Sequence, residues 1–98
     1  MIKVNISTYG SVNKEVGWHF KDINIEQATT TVENVLKSVE LGDGRTLFDL
    51  VGEEGKIKSS YIILLNGRPL WDSEGLKIQI TSGDLVTAMD VIEIMGGG

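Results

Sequence analysis

The stretch YIILLNGRPL (residues 61–70) decides the fold. Its first five residues form the densest apolar run in the chain, which is typical of a strand covered on much of both faces. Asn66 and Gly67 both tolerate a positive φ, so they predict a tight turn directly after that strand. Pro69 has no amide N–H and therefore belongs beside such a turn or at a sheet edge. The stretch thus predicts a buried strand that turns sharply.

Further extended segments lie on both sides of this stretch. Residues 1–7 alternate apolar and polar, which predicts a strand with its three aliphatic residues on the buried face. Residues 17–26 are rich in aliphatic and aromatic side chains, and their alternation slips near Asp22, where we expect a bulge. The short turn-like connection between these two segments predicts a hairpin. Residues 76–80 predict a short strand, and residues 85–94 predict a last strand that runs into the C-terminal glycines.

One main helix is predicted between the second and third long strands. Thr30 and Glu33 have the spacing of a capping box, with Thr30 as the N-cap. An apolar stripe at helical spacing follows and is expected to face the core; its members are Val32, Val35, Leu36 and Val39. The glycines at 42 and 44 are expected to stop this helix, and residues 46–51 predict a shorter helical turn. This element order predicts an α+β fold in which the first and last strands pair centrally.

Composition narrows the class of protein. The 98 residues suit one domain, and no apolar run approaches the length of about 18–20 residues that a membrane helix needs. The first residues lack the pattern of a signal peptide, so a cytoplasmic location is the default expectation. The net charge of −5, with scattered Lys and Arg, argues against direct binding of nucleic acid and fits a basic protein partner or simply solubility.

Little in the sequence indicates a catalytic site within the chain. There is no cysteine, which excludes thiolate metal ligands and cysteine nucleophiles. His19 is the only histidine and is expected at the surface. Glu53 and Glu54 are neighbours in a turn, where carboxylates are usually solvated, and Asp43 lacks the further ligands of a calcium loop. We therefore expect no enzyme activity and no metal site from this chain alone.

Four motifs in order resemble the ubiquitin-like sulfur carriers of the MoaD and ThiS type and the related small archaeal modifiers. They are TVENVL (31–36), GEEGKIK (52–58), ILLNGRPL (63–70) and SGDLV (82–86), followed by the terminal glycines. The resemblance implies a β-grasp (ubiquitin-like) fold: a mixed sheet of four to five strands packed on one main helix. The family often carries proline and an aromatic residue before its diglycine. This chain instead has DVIEIM (90–95) and a third glycine.

The resemblance also implies a chemistry for the C-terminus. The carboxylate of Gly98 would be adenylated by a MoeB/ThiF-like partner enzyme and converted to a thiocarboxylate, with ATP and magnesium used by the partner and no cofactor bound by this chain. A synthase large subunit or a sulfurtransferase would be a further partner, and the chain would be a monomer or part of a heteromer. Glycine suits a narrow extended tail because it has no Cβ. Residues 1–95 are thus expected to form the domain and residues 96–98 a flexible tail.

The sequence leaves several roles open. Gly97, Gly96, Met95 and Ile94 are candidates for partner binding beside the tail, although Ile94 and Met95 could equally pack on the domain. Arg68 could pair with a partner carboxylate or remain a solvated turn charge. Trp18 is expected to be partly buried, while Trp71 fits either a core or an interface.

The function has alternatives as well. Conjugation of Gly98 to lysines of other proteins and an interaction subunit with an inert glycine tail both remain open. The pathway that would receive the sulfur is not distinguished by the sequence.

Overall fold

The computed structural model describes residues 1–83 and 85–94. Its strands are β1 (Ile2–Tyr9), β2 (Phe20–Ile25), β3 (Thr29–Thr31), β4 (Gly52–Glu53), β5 (Lys56–Ile57), β6 (Tyr61–Leu65), β7 (Arg68–Leu70), β8 (Gln79–Thr81) and β9 (Thr87–Glu93). Its helices are α1 (Ser11–Val16), α2 (Val32–Lys37), α3 (Leu47–Val51) and α4 (Asp72–Leu76).

The main sheet has five strands in the order β2-β1-β9-β6-β7. β1 and β9 run parallel at its centre, and the other neighbouring pairs are antiparallel. The predicted central pairing of the first and last strands is therefore confirmed. Two small sheets, β3-β8 and β4-β5, extend the fold. This mixed sheet over helices is the β-grasp architecture, as the resemblance implied.

One face of the main sheet, called the inner face here, packs against α2 and α3 in a single core. The predicted helical stripe is fully buried there, as are the alternating aliphatic residues of β1. The members of these two sets are Val32, Val35, Leu36 and Val39, and Ile2, Val4 and Ile6. Aliphatic residues at helical period and at strand period thus meet in one core, which supplies the main free energy of folding.

The start of α2 lies one residue later than predicted. Thr31, not Thr30, is the N-cap, and its Oγ1 accepts a hydrogen bond of 3.2 Å from the backbone N–H of Asn34. Thr30 pairs with Ile80 in the small sheet, and its buried Oγ1 has no hydrogen-bond partner among the described residues. The helix also ends at Lys37, well before the glycine at 42 that was expected to stop it.

Two short helices were not predicted. α1 connects β1 to β2, so the expected turn-like connection of this hairpin is wrong. α4 includes Leu76, which the sequence pattern placed in a strand; the strand begins only at Gln79. The bulge expected near Asp22 is absent, because the register from Ile2 opposite Ile25 to Ser7 opposite Phe20 is continuous.

The tight turn after β6 forms as predicted. Asn66 and Gly67 have φ values of 52° and 85°, the positive values that this turn requires. The turn is also tied to β9, since Asn66 Oδ1 accepts a hydrogen bond of 2.9 Å from the N–H of Ala88. Pro69 lies in β7, at an edge of the sheet, where its missing N–H costs no ladder bond.

Candidate functional site

β9 is the strand that leads toward the predicted working end of the chain. It lies between β1 and β6 and is hydrogen-bonded to both. One residue beyond it, the N–H of Ile94 donates a hydrogen bond of 2.7 Å to the carbonyl oxygen of Ser60. The predicted tail residues Gly96, Gly97 and Gly98, together with Met95, lie outside the described residues. The backbone is therefore held in the sheet up to Ile94, the last residue described.

The two faces of β9 have different surroundings. Met89 and Val91 point to the inner face and are fully buried. Asp90 and Ile92 alternate with them on the opposite, outer face and are only partly covered. Val91 thus packs in the core, whereas Ile92 is half-buried on the outer face. Ile94 remains 38% exposed.

Apolar side chains gather around Ile92 on the outer face. Ile92 lies opposite Tyr9 of β1 and opposite Ile62 of β6. Leu64 lies opposite Pro69 of β7 in the next outward-facing row. These five residues are called the outer patch: Tyr9, Ile62, Leu64, Pro69 and Ile92. All five are exposed or half-buried, although the strands that carry them are firmly paired.

An aromatic cluster extends the outer patch at Tyr9. The ring centroid of His19 lies 5.1 Å from that of Tyr9 and 4.2 Å from that of Phe20. His19 Nδ1 is 2.6 Å from the carbonyl oxygen of Thr8. A carbonyl oxygen can only accept, so Nδ1 carries the hydrogen in this contact. His19 is exposed, as predicted, and Phe20 is 63% exposed.

Tyr61 and Glu93 face each other where β9 ends. Partial burial raises the pKa of the Tyr61 hydroxyl, and the negative charge of the Glu93 carboxylate raises it further. Both effects disfavour the phenolate, so Tyr61 is neutral at physiological pH and remains available as a hydrogen-bond donor. The strand end before Ile94 therefore carries one carboxylate and one neutral hydroxyl.

Arg68 lies away from the end of β9 that leads to the tail. It is opposite Leu65, which is in turn opposite Met89, near the start of β9. Met89 and Ile94 are five positions apart, a distance of about 16 Å along an extended strand. The structure thus separates Arg68 from Ile94, and it also places Arg68 on the register row of the inner face rather than in the outer patch.

The two tryptophans differ in exposure. Trp18 is half-buried against the core, as expected, with Lys21 Nζ 5.6 Å from its ring centroid. Trp71 is 53% exposed and lies between β7 and α4. The question that the sequence left open for Trp71 is thereby answered in favour of the surface.

The sequence reasoning did not identify the outer patch. Ile62 and Leu64 belong to the dense apolar run, and the sequence alone did not say which of its members face away from the core. The Asn66–Gly67 turn could have indicated the patch. A two-residue turn fixes which residues of β6 and β7 are opposite each other, and alternate residues of each strand then lie on opposite faces of the sheet. Within residues 1–83 and 85–94, no three His, Asp or Glu side chains are grouped to hold a metal ion. In the same part of the chain, no helix has the length and hydropathy needed to cross a membrane.

Comparison with protein-family models and with curated proteins gives no match. Solved structures do match. The Haloferax volcanii HVO 2177 protein has a TM-score of 0.71 at 25% identity, over 99% of this chain and 87% of that one. Small archaeal modifier protein 1 of Methanosarcina acetivorans has a TM-score of 0.68 at 21% identity, over 100% and 98%. A Pyrococcus furiosus protein named as molybdopterin converting factor, subunit 1, has a TM-score of 0.62 at 14% identity, over 97% and 100%.

These likenesses cover nearly the whole of each chain. They confirm the β-grasp fold and the resemblance to MoaD-like and small archaeal modifier proteins. At such identities the likeness is one of fold, and the fold alone does not assign a chemistry to the chain.

Proposed function

We propose that this chain, which shares the β-grasp fold of MoaD-like and small archaeal modifier proteins, is a ubiquitin-like carrier that acts through the carboxylate of Gly98. The observation that supports this proposal most directly is the position of β9. This central strand is hydrogen-bonded on both sides and is continued by the Ile94 to Ser60 bond. A firmly paired strand therefore leads to Ile94, four residues before Gly98 in the sequence.

The proposed chemistry begins with activation by a partner enzyme of the MoeB/ThiF type. A carboxylate is a poor electrophile, so an oxygen of the Gly98 carboxylate attacks the α-phosphate of ATP and pyrophosphate leaves. Hydrosulfide supplied by a sulfur donor then attacks the acyl carbon and displaces AMP, which gives the thiocarboxylate. ATP and magnesium belong to the partner, and this chain supplies only the reacting carboxylate and the surface that the partner recognises.

The outer patch supports the recognition part of the proposal. Its apolar side chains lie on a rigid sheet and include Tyr9, a residue type enriched in interfaces. Ile92 is at its centre, two residues before Ile94, so a partner that covers the patch also comes close to Ile94. Ile94, Met95, Gly96 and Gly97 are proposed to enter the partner's groove with Gly98. Arg68 is at the other end of β9 and would contact a different part of the partner.

The test is intact-mass spectrometry of the full chain after incubation with ATP, a MoeB/ThiF-like enzyme from the same genome and a sulfur donor. The proposal expects a product heavier by about 16 Da, because sulfur replaces one oxygen of the carboxylate. An unchanged mass with an enzyme that thiocarboxylates its own known carrier in the same assay would contradict it.

One variant must remove the reactive end, and a second must leave it intact. Deletion of a single glycine is uninformative, because the shortened chain still ends on two glycines. A chain that ends at Met95 lacks the whole tail and is expected to give no mass change while it keeps the stability of the domain. Lys3→Ser keeps the whole tail and changes an exposed β1 residue outside the outer patch, so it is the control that should still react.

The same assay separates the modifier alternative, which the structural likeness to small archaeal modifier proteins favours. In this alternative, a lysine ε-amine of an acceptor protein takes the place of the sulfur nucleophile. It displaces AMP and forms an isopeptide bond to Gly98. Conjugates would then appear as protein masses raised by that of this chain less one water. An inert interaction subunit would give neither product.

A further inference from the structure

A second apolar feature adjoins the outer patch at Pro69, where β7 ends and α4 begins. It is a cleft of about 310 Å³. Leu70 and Gly75, both buried, line its base, and two exposed apolar side chains line its sides. These are Trp71, 53% exposed, and Ile78, 41% exposed. Asp72 and Glu74 add two exposed carboxylates, and Pro69, which also belongs to the outer patch, completes the lining. The cleft, called the Trp71 cleft here, thus combines an aromatic face with negative charge.

The local structure at Trp71 departs from what stability alone favours. Trp71 is the N-cap of α4 and makes no side-chain capping bond, although Ser, Thr, Asp or Asn is preferred at that position. The next residue, Asp72, has a φ of 53°, in the left-handed region that costs free energy for residues other than glycine. Such departures concentrate at functional sites, where the cost is retained for another reason. Here the result is an exposed tryptophan beside an exposed carboxylate.

The charges of the cleft have no partner within the described part of the chain. Neither Asp72 nor Glu74 is within 4.0 Å of a cationic group there, since the ion pairs it contains involve other residues. Lys77 lies at the C-cap of α4 and does not line the cleft. The whole chain carries a net charge of −5, so a cationic segment is attracted from a distance and then meets two free carboxylates.

The adjacent sheet edge determines how a segment could bind. β7 is an edge strand, and an added strand would have to pair with its backbone. Pro69, in the middle of β7, has no N–H to donate, so a continuous ladder cannot form along this edge. Binding at the Trp71 cleft must therefore rely on side chains.

We infer that the Trp71 cleft binds a segment of a partner protein that places an arginine or lysine side chain over the Trp71 ring, between Asp72 and Glu74, and an aliphatic neighbour against Ile78. A cation over an indole face is attracted by the ring quadrupole, and this attraction adds to that of the two carboxylates. The inference goes beyond the proposed carrier function and does not depend on the chemistry of Gly98. It concerns a docking surface at the sheet edge, which meets the outer patch only at Pro69.

The experiment is a titration of the ¹⁵N-labelled full chain with three synthetic peptides, followed by NMR. The basic probe is acetyl-Leu-Arg-Leu-Lys-Leu-amide, and two matched peptides carry glutamine or glutamate in place of both basic residues. The basic peptide is expected to shift the indole N–H signal of Trp71 and the amide signals of α4, with weaker binding at higher salt. The glutamine peptide is expected to bind several-fold more weakly, and the glutamate peptide not at all. Equal binding of the three peptides, or no shift at α4, overturns the inference.

Variants of the same chain test the roles of the ring and of the charges. Trp71→Ala is expected to weaken binding of the basic peptide about tenfold. The double variant Asp72→Asn and Glu74→Gln keeps the shapes and tolerates the positive φ at residue 72, and it should remove most of the salt dependence. Phe20→Ala is the matched control, because Phe20 is an aromatic residue at the opposite edge of the sheet and is somewhat more exposed than Trp71. A loss of affinity in Phe20→Ala as large as in Trp71→Ala, or unchanged affinity in both cleft variants, contradicts the assignment.

Discussion

The two faces of β6 and β9 differ in what they contribute to the molecule. On the inner face, Ile63 and Val91 are fully buried against each other and against the helices. On the outer face, Ile62 and Ile92 are also opposite each other, yet both remain partly accessible. Successive residues of one strand thus serve different purposes, because period two assigns them to opposite faces. Stability rests on the inner row, and the outer row is free for recognition.

The largest expected effect distinguishes Ile63 from its neighbour Ile62. Ile63→Ala leaves a cavity in the core and is expected to lower the free energy of unfolding by about 2–5 kcal/mol. Ile62→Ala removes the same atoms from the half-covered face and is expected to cost about 1 kcal/mol or less. Urea unfolding of both variants, monitored by circular dichroism, measures the difference. Similar losses of unfolding free energy in the two variants would contradict the difference between the two faces.

The second prediction concerns binding at the outer face. Ile92→Ser is expected to slow adenylation by the partner enzyme about tenfold at subsaturating concentration, because it removes the centre of the outer patch. The free energy of unfolding should change by about 1 kcal/mol or less. Pyrophosphate release gives the rate. Lys3→Ser, an exposed β1 residue that does not belong to the outer patch, is the control, and an equal slowing in that variant would argue against the patch.

A smaller effect on stability is expected at two adjacent threonines, of which Thr30 is buried and Thr31 is only partly covered. Thr31→Val removes the N-cap bond of α2 and should destabilise the domain by about 1 kcal/mol. Thr30→Val replaces a buried hydroxyl without a described partner by a methyl group and should stabilise it by about 1 kcal/mol. Thermal unfolding of both variants gives the two signs. If Thr30→Val instead destabilised the domain and Thr31→Val had no effect, Thr30 would be the N-cap of α2.

The smallest expected effect is electrostatic and lies away from both faces. Arg45 lies 2.8 Å from Asp43, and its hydrogen bond and charge lower the pKa of the Asp43 carboxyl below the usual value of 3.8. The resulting stabilisation is present above that usual value and is lost as the pH falls through the lowered pKa of the folded state. Arg45→Gln should therefore be slightly less stable than the original at neutral pH, and the gap should close at strongly acidic pH. Because the pair is exposed, the difference in free energy of unfolding between the variant and the original chain should be small at neutral pH. A large difference there, measured by urea unfolding, would contradict this prediction.

The fold could be predicted because its strongest signals are local. The β6–β7 turn follows from Asn66 and Gly67, and the α2 stripe follows from four aliphatic residues at helical spacing. The motifs around them suggested a family whose fold accounts for the central β1–β9 pairing. The capping error arose because Thr30 and Thr31 can both cap, and only the structure shows that Thr31 Oγ1 accepts the bond from Asn34 while the side chain of Thr30 is buried.

The helices α1 and α4 could not be predicted because neither carries a helical signal of its own. α1 has one buried residue, Val12, and α4 contains Gly75 and starts at a tryptophan without a capping side chain. Tertiary contact maintains them, as the close approach of Gly75 to Leu70 shows, where an added Cβ would lie 2.8 Å from the Leu70 Cβ. The outer patch was missed for a related reason, since register must be known before an apolar run can be divided between two faces.

We propose that the partner enzyme binds the outer face together with the chain end that follows Ile94. A titration of the ¹⁵N-labelled chain with an adenylating enzyme of the MoeB/ThiF type, followed by chemical-shift and line-broadening changes, tests this proposal. We expect the strongest changes at Tyr9, Ile62, Leu64, Ile92 and Ile94, while the amides of α2 and α3 stay nearly unchanged. Strong changes confined to α2 and α3, with an unperturbed outer patch, would contradict it.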